Sequence, residues 1–174
     1  MISYRPSFLY NHDGKDDTMP IIYRKTFIHA PIHRCFDVAR TVDVHSGKFL
    51  LTTQYPVKGI LTGVMELEDF VTWEAMHFGL KQRLTSHITR MEKPTFFQDE
   101  MMHGTFKSFT HQHIFIEYQN GTMMIDHFDY MSPLGCLGQV ADALFLKHYM
   151  RSFIKLQAEN VKRVVEKELH LRIQ

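Results

Sequence analysis

The chain is predicted to fold as α+β: a curved antiparallel sheet of about seven strands wrapped around a long C-terminal helix, with short helices after the first strand. Three observations lead there. Between Val64 and Met131, segments of alternating apolar and polar residues follow one another, broken at Gly79, Pro94 and Gly104. Within that run, Gln119-Asn120-Gly121-Thr122 sits between two alternating segments, and Asn-Gly in that setting marks a hairpin because a type I′ turn needs positive φ twice. From Pro133 to about Glu168, finally, no Gly follows Gly138, and Tyr149, Phe153, Leu156, Asn160 and Val164 recur at steps of four and three, one side of a helix. Such a helix needs a large apolar surface to lie on, and a sheet with one apolar face needs a cover.

Composition sets the outer bounds. The 174 residues suit one domain with a real core, and 44% apolar with 22% charged residues is ordinary for a globular protein. A formal net charge of +1 gives no electrostatic reason to expect nucleic acid as a partner. No apolar run approaches the ~20 residues of a membrane span, and the first residues lack the apolar core of a secretory signal. Cys35 and Cys136 do not make a disulfide framework, so free thiols and a cytoplasmic location are expected. The unusual counts are 12 His and 11 Met, and Met-rich interiors adapt to varied shapes.

Taken in order, residues 1–18 form a polar N-terminal extension, and 19–170 form the domain. Ile22, Arg24, Thr26 and Ile28 alternate with Tyr23, Lys25 and Phe27 in a first strand. Ala30-Pro31 opens a helix with Pro at its first position, whose apolar side is Ile32, Cys35, Phe36 and Ala39. A short helical turn over Val42–His45 follows. Lys48–Gly63 is apolar but interrupted by Pro56, Gly59 and Gly63, the pattern of a loop at a cavity mouth or of an irregular sheet edge. Phe70–Phe78 and Gln82–Arg90 are then strands. With Gly79-Leu80 as the turn, His77 pairs with Gln82 and Trp73 with Ser86. Phe96–Met102 and Phe106–Tyr118 come next. The Asn-Gly turn sets Phe115 opposite Asp126, His113 opposite Phe128 and His111 opposite Tyr130, all on one face. In the last segment, Val140, Ala141, Leu144 and Phe145 form an apolar patch rotated from the main stripe, so two helical pieces meet near Lys147 or one helix buries a wide face.

This order of elements and several local strings resemble the START-like (SRPBCC) superfamily of helix-grip proteins, which includes polyketide cyclases/dehydrases and lipid-transport proteins. The strings are Ala30-Pro31 with Phe36, Val71-Thr72-Trp73-Glu74-Ala75 with His77-Phe78-Gly79, and Asp99-Glu100-Met101. Leu84-Thr85, Pro94 with Phe97, Gly104-Thr105-Phe106, His111-Gln112-His113-Ile114-Phe115, Gly121-Thr122 with Met124 and Asp126, Pro133-Leu134-Gly135 with Gly138, and Tyr149-Met150 complete the set. Small bacterial cyclase/dehydrase-type proteins are the nearest likeness, over roughly Met19 to Lys167. The resemblance implies a cavity between sheet and helix that takes an apolar small molecule, in proteins that mostly bind or carry and in a minority catalyse. It implies no shared catalytic residue set.

The expected ligand-binding residues are Trp73, His77, His111, His113, Phe115, Asp126, Phe128, Tyr130, Tyr149 and Phe153. Most are apolar packing; the polar ones are informative, because burying an unpaired imidazole or carboxylate costs several kcal/mol. His113 and Asp126 fall on diagonal positions across the hairpin, within side-chain reach. They could be a structural polar pair, a hydrogen-bonding site for a ligand, or an acid/base pair, with His113 and Asp126 the catalytic candidates. His111-x-His113 is also a spacing used by some metal sites, with His77, Asp126 or Asp99 as a third donor, but two imidazoles alone commit the chain to no metal. His87, His103 and His127 fall on the other face or in a turn and read as solvent-exposed. The expected function is binding of a polyketide-, quinone- or lipid-like molecule, with a cyclase/dehydratase-type enzyme as the alternative. No cofactor is assigned, and homodimerisation stays open.

Overall fold

The computed structural model of the protein describes residues 20–49, 52–77, 79–132 and 145–173. The elements are β1 (Ile21–Ile28), α1 (Ile32–Ala39), α2 (Val42–His45), β2 (Gly47–Phe49), β3 (Thr52–Gly59), β4 (Phe70–His77), β5 (Leu80–Glu92), β6 (Phe96–His103), β7 (Ser108–Tyr118), β8 (Gly121–Met131) and α3 (Lys147–Ile173). The strands form one antiparallel sheet in the order β1-β8-β7-β6-β5-β4-β3-β2. Residues 1–18, Cys136 and the patch at Val140, Ala141 and Leu144 lie outside the described residues. Phe145, at the patch's end, is exposed.

The predicted curved sheet and long C-terminal helix are present. The interrupted stretch at 48–63 is the irregular edge rather than a loop, with β2 and β3 paired there and a register shift between Pro56 and Lys58. Proline cannot donate to a ladder and is tolerated at such an irregularity. Pro31 caps α1 from an extended conformation (φ −61°, ψ 147°), one place earlier than expected.

Both hairpin registers differ from expectation by two residues. His77 pairs with Leu80 and Trp73 with Leu84. Tyr118 pairs with Gly121, which places His113 opposite Asp126, His111 opposite Phe128, Phe115 opposite Met124 and Phe109 opposite Tyr130. The turn falls on Gln119-Asn120, with Gln119 left-handed at φ 51°. Gly121 is needed elsewhere: a Cβ on it would clash with the Ile28 carbonyl oxygen on β1. A shift of two keeps every side chain on its face, because strand faces alternate with period two.

The helices close the concave face. Val42 N–H donates to the Gly63 carbonyl at 2.8 Å and Met65 N–H to the Arg40 carbonyl at 3.0 Å, while the Arg40 guanidinium reaches back to the Met65 carbonyl at 2.7 Å. Thr122 Oγ donates to the Ala30 carbonyl at 2.8 Å and ties β8 to the start of α1. The α3 residues that become buried are Met150, Ile154, Ala158, Val161 and Val165, with Tyr149, Phe153, Leu156, Asn160 and Val164 half-buried beside them. The buried stripe is therefore rotated by one residue, about 100° on a helix, from the expected one. The rotation fits where α3 lies: Glu159 pairs with Arg24 of β1, Glu166 accepts from the His29 amide, and Glu168 pairs with Arg34 of α1. Asn160 donates to the Val44 carbonyl of α2.

Among the described residues, the space between sheet and helices holds two apolar clusters, a third lying on the sheet's outer face at Phe96, Ile114 and Ile125. One joins α1, α2 and α3 to Val71, Ile88, Phe97, Phe115 and Met124. The other, towards the start of α3, packs Ile22, Phe109, Phe128 and Tyr130 against Met150 and Ile154. Between them sits a group of polar side chains.

Candidate functional site

The polar group is a product of register. His111 and His113 alternate on β7 and point inward. Asp99 on β6 is the backbone partner of His111, and Asp126 on β8 is the partner of His113. Asp99 thus shares the inner face, a placement that had depended on the length of the turn after His103. Arg24 on β1 is in turn the backbone partner of Asp126.

The side chains converge closely. His113 Nδ1 lies 3.0 Å from Asp126 Oδ1, and His111 Nε2 lies 3.3 Å from the same oxygen. On their other edges, His113 Nε2 is 3.5 Å and His111 Nδ1 3.9 Å from Asp99 Oδ1. The two imidazoles lean on each other with ring centroids 3.9 Å apart. Phe97 stacks on His113 at 4.2 Å, and Phe128 meets His111 edge-on at 5.3 Å. His111, His113 and Asp126 are 7%, 7% and 3% exposed. The contacts to Asp126 are near but poorly aligned, and by hydrogen-bond geometry His111 Nε2, His113 Nδ1 and Asp126 Oδ2 have no partner among the described residues. Charge attraction survives that misalignment, since it depends on distance more than on angle.

Burial by itself disfavours the His113 imidazolium, but Asp126 and Asp99 outweigh it and raise the group to about 9. Burial likewise opposes ionisation of Asp126, and the two imidazoles overcome it, holding the carboxyl well below the ordinary carboxylate range. His113 is therefore cationic and Asp126 anionic at neutral pH. His45 behaves in the opposite way. Burial pushes it down against the opposing bond from its Nε2 to the Ala39 carbonyl at 2.7 Å, and His113 and His111 add to the depression. It is neutral.

The cluster opens on a cavity of about 90 Å³ under α1 and α2, lined by His45, Trp73, Ser86, Asp99, His111 and His113 together with apolar residues of both helices and Gln157 of α3. Of the expected site residues, Trp73, His111 and His113 line this space, and Asp126 stands behind the imidazoles. Phe115 packs on Phe36 and Phe97 in the first apolar cluster. Phe128, Tyr130, Tyr149 and Phe153 belong to the second. His77 ends β4, and its side chain lies outside the described residues. On the opposite face, His103 is exposed as expected. His87 and His127 are half-buried instead, because flanking side chains of a sheet's outer face also shield one another.

His45 and Ser86 were not expected at the site. No local pattern marks His45, which reaches the cavity only through the packing of α2. Ser86 follows from the β4–β5 pairing with Val71.

No protein-family model matches the chain, and no curated protein matches it. Solved structures do. TTHA0849 from Thermus thermophilus is similar with a TM-score of 0.62 and 17% identity, over 82% of this chain and 97% of that one. Ara h 8.0201 gives 0.56 and 11%, over 84% and 97%. SA2116 from Staphylococcus aureus, a protein of unknown function, gives 0.66 and 8%, over 87% and 96%. The chain has the helix-grip fold. At these identities the likeness speaks for fold, and function must be argued from the site. Among the described residues, no helix is long and apolar enough to cross a membrane.

Proposed function

We propose that the protein binds a small organic molecule between the sheet and its helices, with the molecule's oxygenated end at His111, His113, Asp99 and Asp126. One observation carries the reading: two buried imidazoles, His111 and His113, and the Asp99 carboxylate line an interior cavity. Buried polar groups are nearly always satisfied, and on the cavity side a ligand oxygen would bond His113 Nε2, which Asp99 approaches only to 3.5 Å. The imidazolium of His113 would donate to a carboxylate, enolate or quinone oxygen, and Trp73 offers a flat wall for a ring. The resemblance to cyclase/dehydrase-type bacterial proteins supports a polyketide-, quinone- or lipid-like ligand.

Size limits how such a ligand enters. Sites for drug-sized molecules span roughly 300–1,000 Å³, whereas this cavity holds about 90 Å³, room for a head group. A ring or chain would extend towards Tyr149 and Phe153 and displace their packing, which half-buried residues permit at least cost. Thermal unfolding with 1,4-naphthoquinone, 1-hydroxy-2-naphthoate and palmitate tests this. A ligand at 100 times its Kd stabilises by about 2.7 kcal/mol, and Trp73→Ala and His113→Phe should diminish that gain. No stabilisation by any of the three would overturn the reading.

One observation favours a second reading, in which the same site catalyses cyclisation or dehydration. Asp126 holds His113 Nδ1 at 3.0 Å and leaves Nε2 on the cavity side, the arrangement of an oriented acid/base. That reading requires turnover of a bound polyketide-like substrate to vanish in His113→Gln while binding persists.

A further inference from the structure

We propose that Asp99, His111 and His113 form a site for one divalent first-row transition metal ion, braced from behind by Asp126 and open to the cavity. The site uses the same cluster as the ligand-binding reading and deepens it, so the claim rests on that cluster and is tested with metal alone.

The donors are already gathered. One nitrogen of each imidazole and one oxygen of Asp99 lie within 4.8 Å of one another. Two donors each ~2.1 Å from a shared ion can be at most ~4.2 Å apart, so the triad closes with shifts below an ångström. The nearer separations, 3.5 Å from His113 Nε2 and 3.9 Å from His111 Nδ1 to Asp99 Oδ1, are long for direct hydrogen bonds. They suit atoms that flank an ion instead.

Asp126 does what a carboxylate behind a metal site does. It faces His113 Nδ1 and His111 Nε2, the nitrogens turned away from Asp99. Its charge, rather than an aligned hydrogen bond, favours a proton on each of those nitrogens and leaves the other lone pair free towards Asp99. Metal ligation requires both imidazoles neutral, so an incoming ion displaces the His113 proton, and a dication then offsets the charge of the two aspartates. Phe97 and Phe128 fix both rings from their sides.

The donor set narrows the ion. Two imidazoles and one carboxylate suit zinc, iron(II), cobalt(II) and their neighbours rather than magnesium or calcium, which prefer oxygen. Cys35 takes no part; its thiol donates to the Ala30 carbonyl. Three protein ligands leave at least one position, and the cavity beside Trp73 and Ser86 provides room for water or a ligand oxygen there.

The test titrates Co2+, then Zn2+, into the EDTA-dialysed full chain, following cobalt absorption in the visible and metal content by native mass spectrometry. One ion per chain is expected, with a cobalt spectrum that zinc abolishes. Asp99→Asn and His113→Gln should each weaken binding at least 100-fold, and Asp126→Asn 10–100-fold as a supporting residue. Circular dichroism checks that each variant folds. If the His113 variant does not, Asp99→Asn decides, since Asp99 is only partly buried. Less than one ion per chain, or equal affinity in wild type and Asp99→Asn, would overturn the proposal whether or not an organic ligand binds.

Discussion

The two ends of the space between sheet and helix are built on different terms. Towards the start of α3, Phe109, Phe128 and Tyr130 interlock with Met150 and Ile154 and expose almost nothing. Under α1 and α2, the sheet presents two imidazoles and two carboxylates, a 90 Å³ void, and polar atoms that lack aligned partners. The first end stabilises the fold by burial. The second gives up that stabilisation, and proteins retain such costs mainly where a site needs them. One interior thus holds an end that secures the fold and an end that we propose as the site.

The largest expected effect lies at the apolar end. Phe128→Ala should destabilise by about 3–5 kcal/mol in urea unfolding, as for other buried aromatic deletions. A loss below 1 kcal/mol would mean that this end is loosely packed and the contrast false.

A smaller effect belongs to the polar end and depends on pH. A histidine whose folded pKa is raised stabilises the fold below its unfolded value near 6.5, and the contribution fades as pH rises through the folded value. For His113 that window runs from about 6.5 to about 9. EDTA-dialysed protein should lose up to about 3 kcal/mol across it, and His113→Gln should flatten the slope. The Asp126 contribution has the opposite sense, present above the ordinary carboxylate range and lost on acidification. Equal slopes in wild type and His113→Gln would remove the imidazolium from the account.

The smallest effect is at the rim. Arg24 and Glu159 pair at 3.2 Å with partly exposed side chains, and Glu159→Gln should cost less than about 1 kcal/mol. A cost above 2 kcal/mol would show that α3 is held by ions rather than by its apolar stripe.

Element order and strand faces were legible in the sequence because period-two alternation survives errors of register. What failed was turn assignment. Asn-Gly marks a hairpin, but Gly121 was required against the Ile28 carbonyl on β1, a tertiary demand that moved the turn one place back. The site sharpened as a result, since His113 and Asp126 became direct partners rather than diagonal ones. Asp99 could be placed only once the β6–β7 register was known. His45 could not be found at all, because α2 meets the cavity through packing, and the stripe of α3 was off by one residue because its contacts with β1 and α1 set the rotation.

A double variant replaces the cluster without hollowing it. Asp126→Leu combined with His113→Phe removes the charged pair and keeps the volume. Buried ion pairs exchanged for apolar residues are often neutral or stabilising by about 1–4 kcal/mol. Urea stability should equal or exceed that of wild type at pH 7, and stabilisation by the naphthalene ligands and by Zn2+ should be lost. Destabilisation by more than about 3 kcal/mol, with ligand effects unchanged, would contradict the proposed site and make the cluster part of the scaffold.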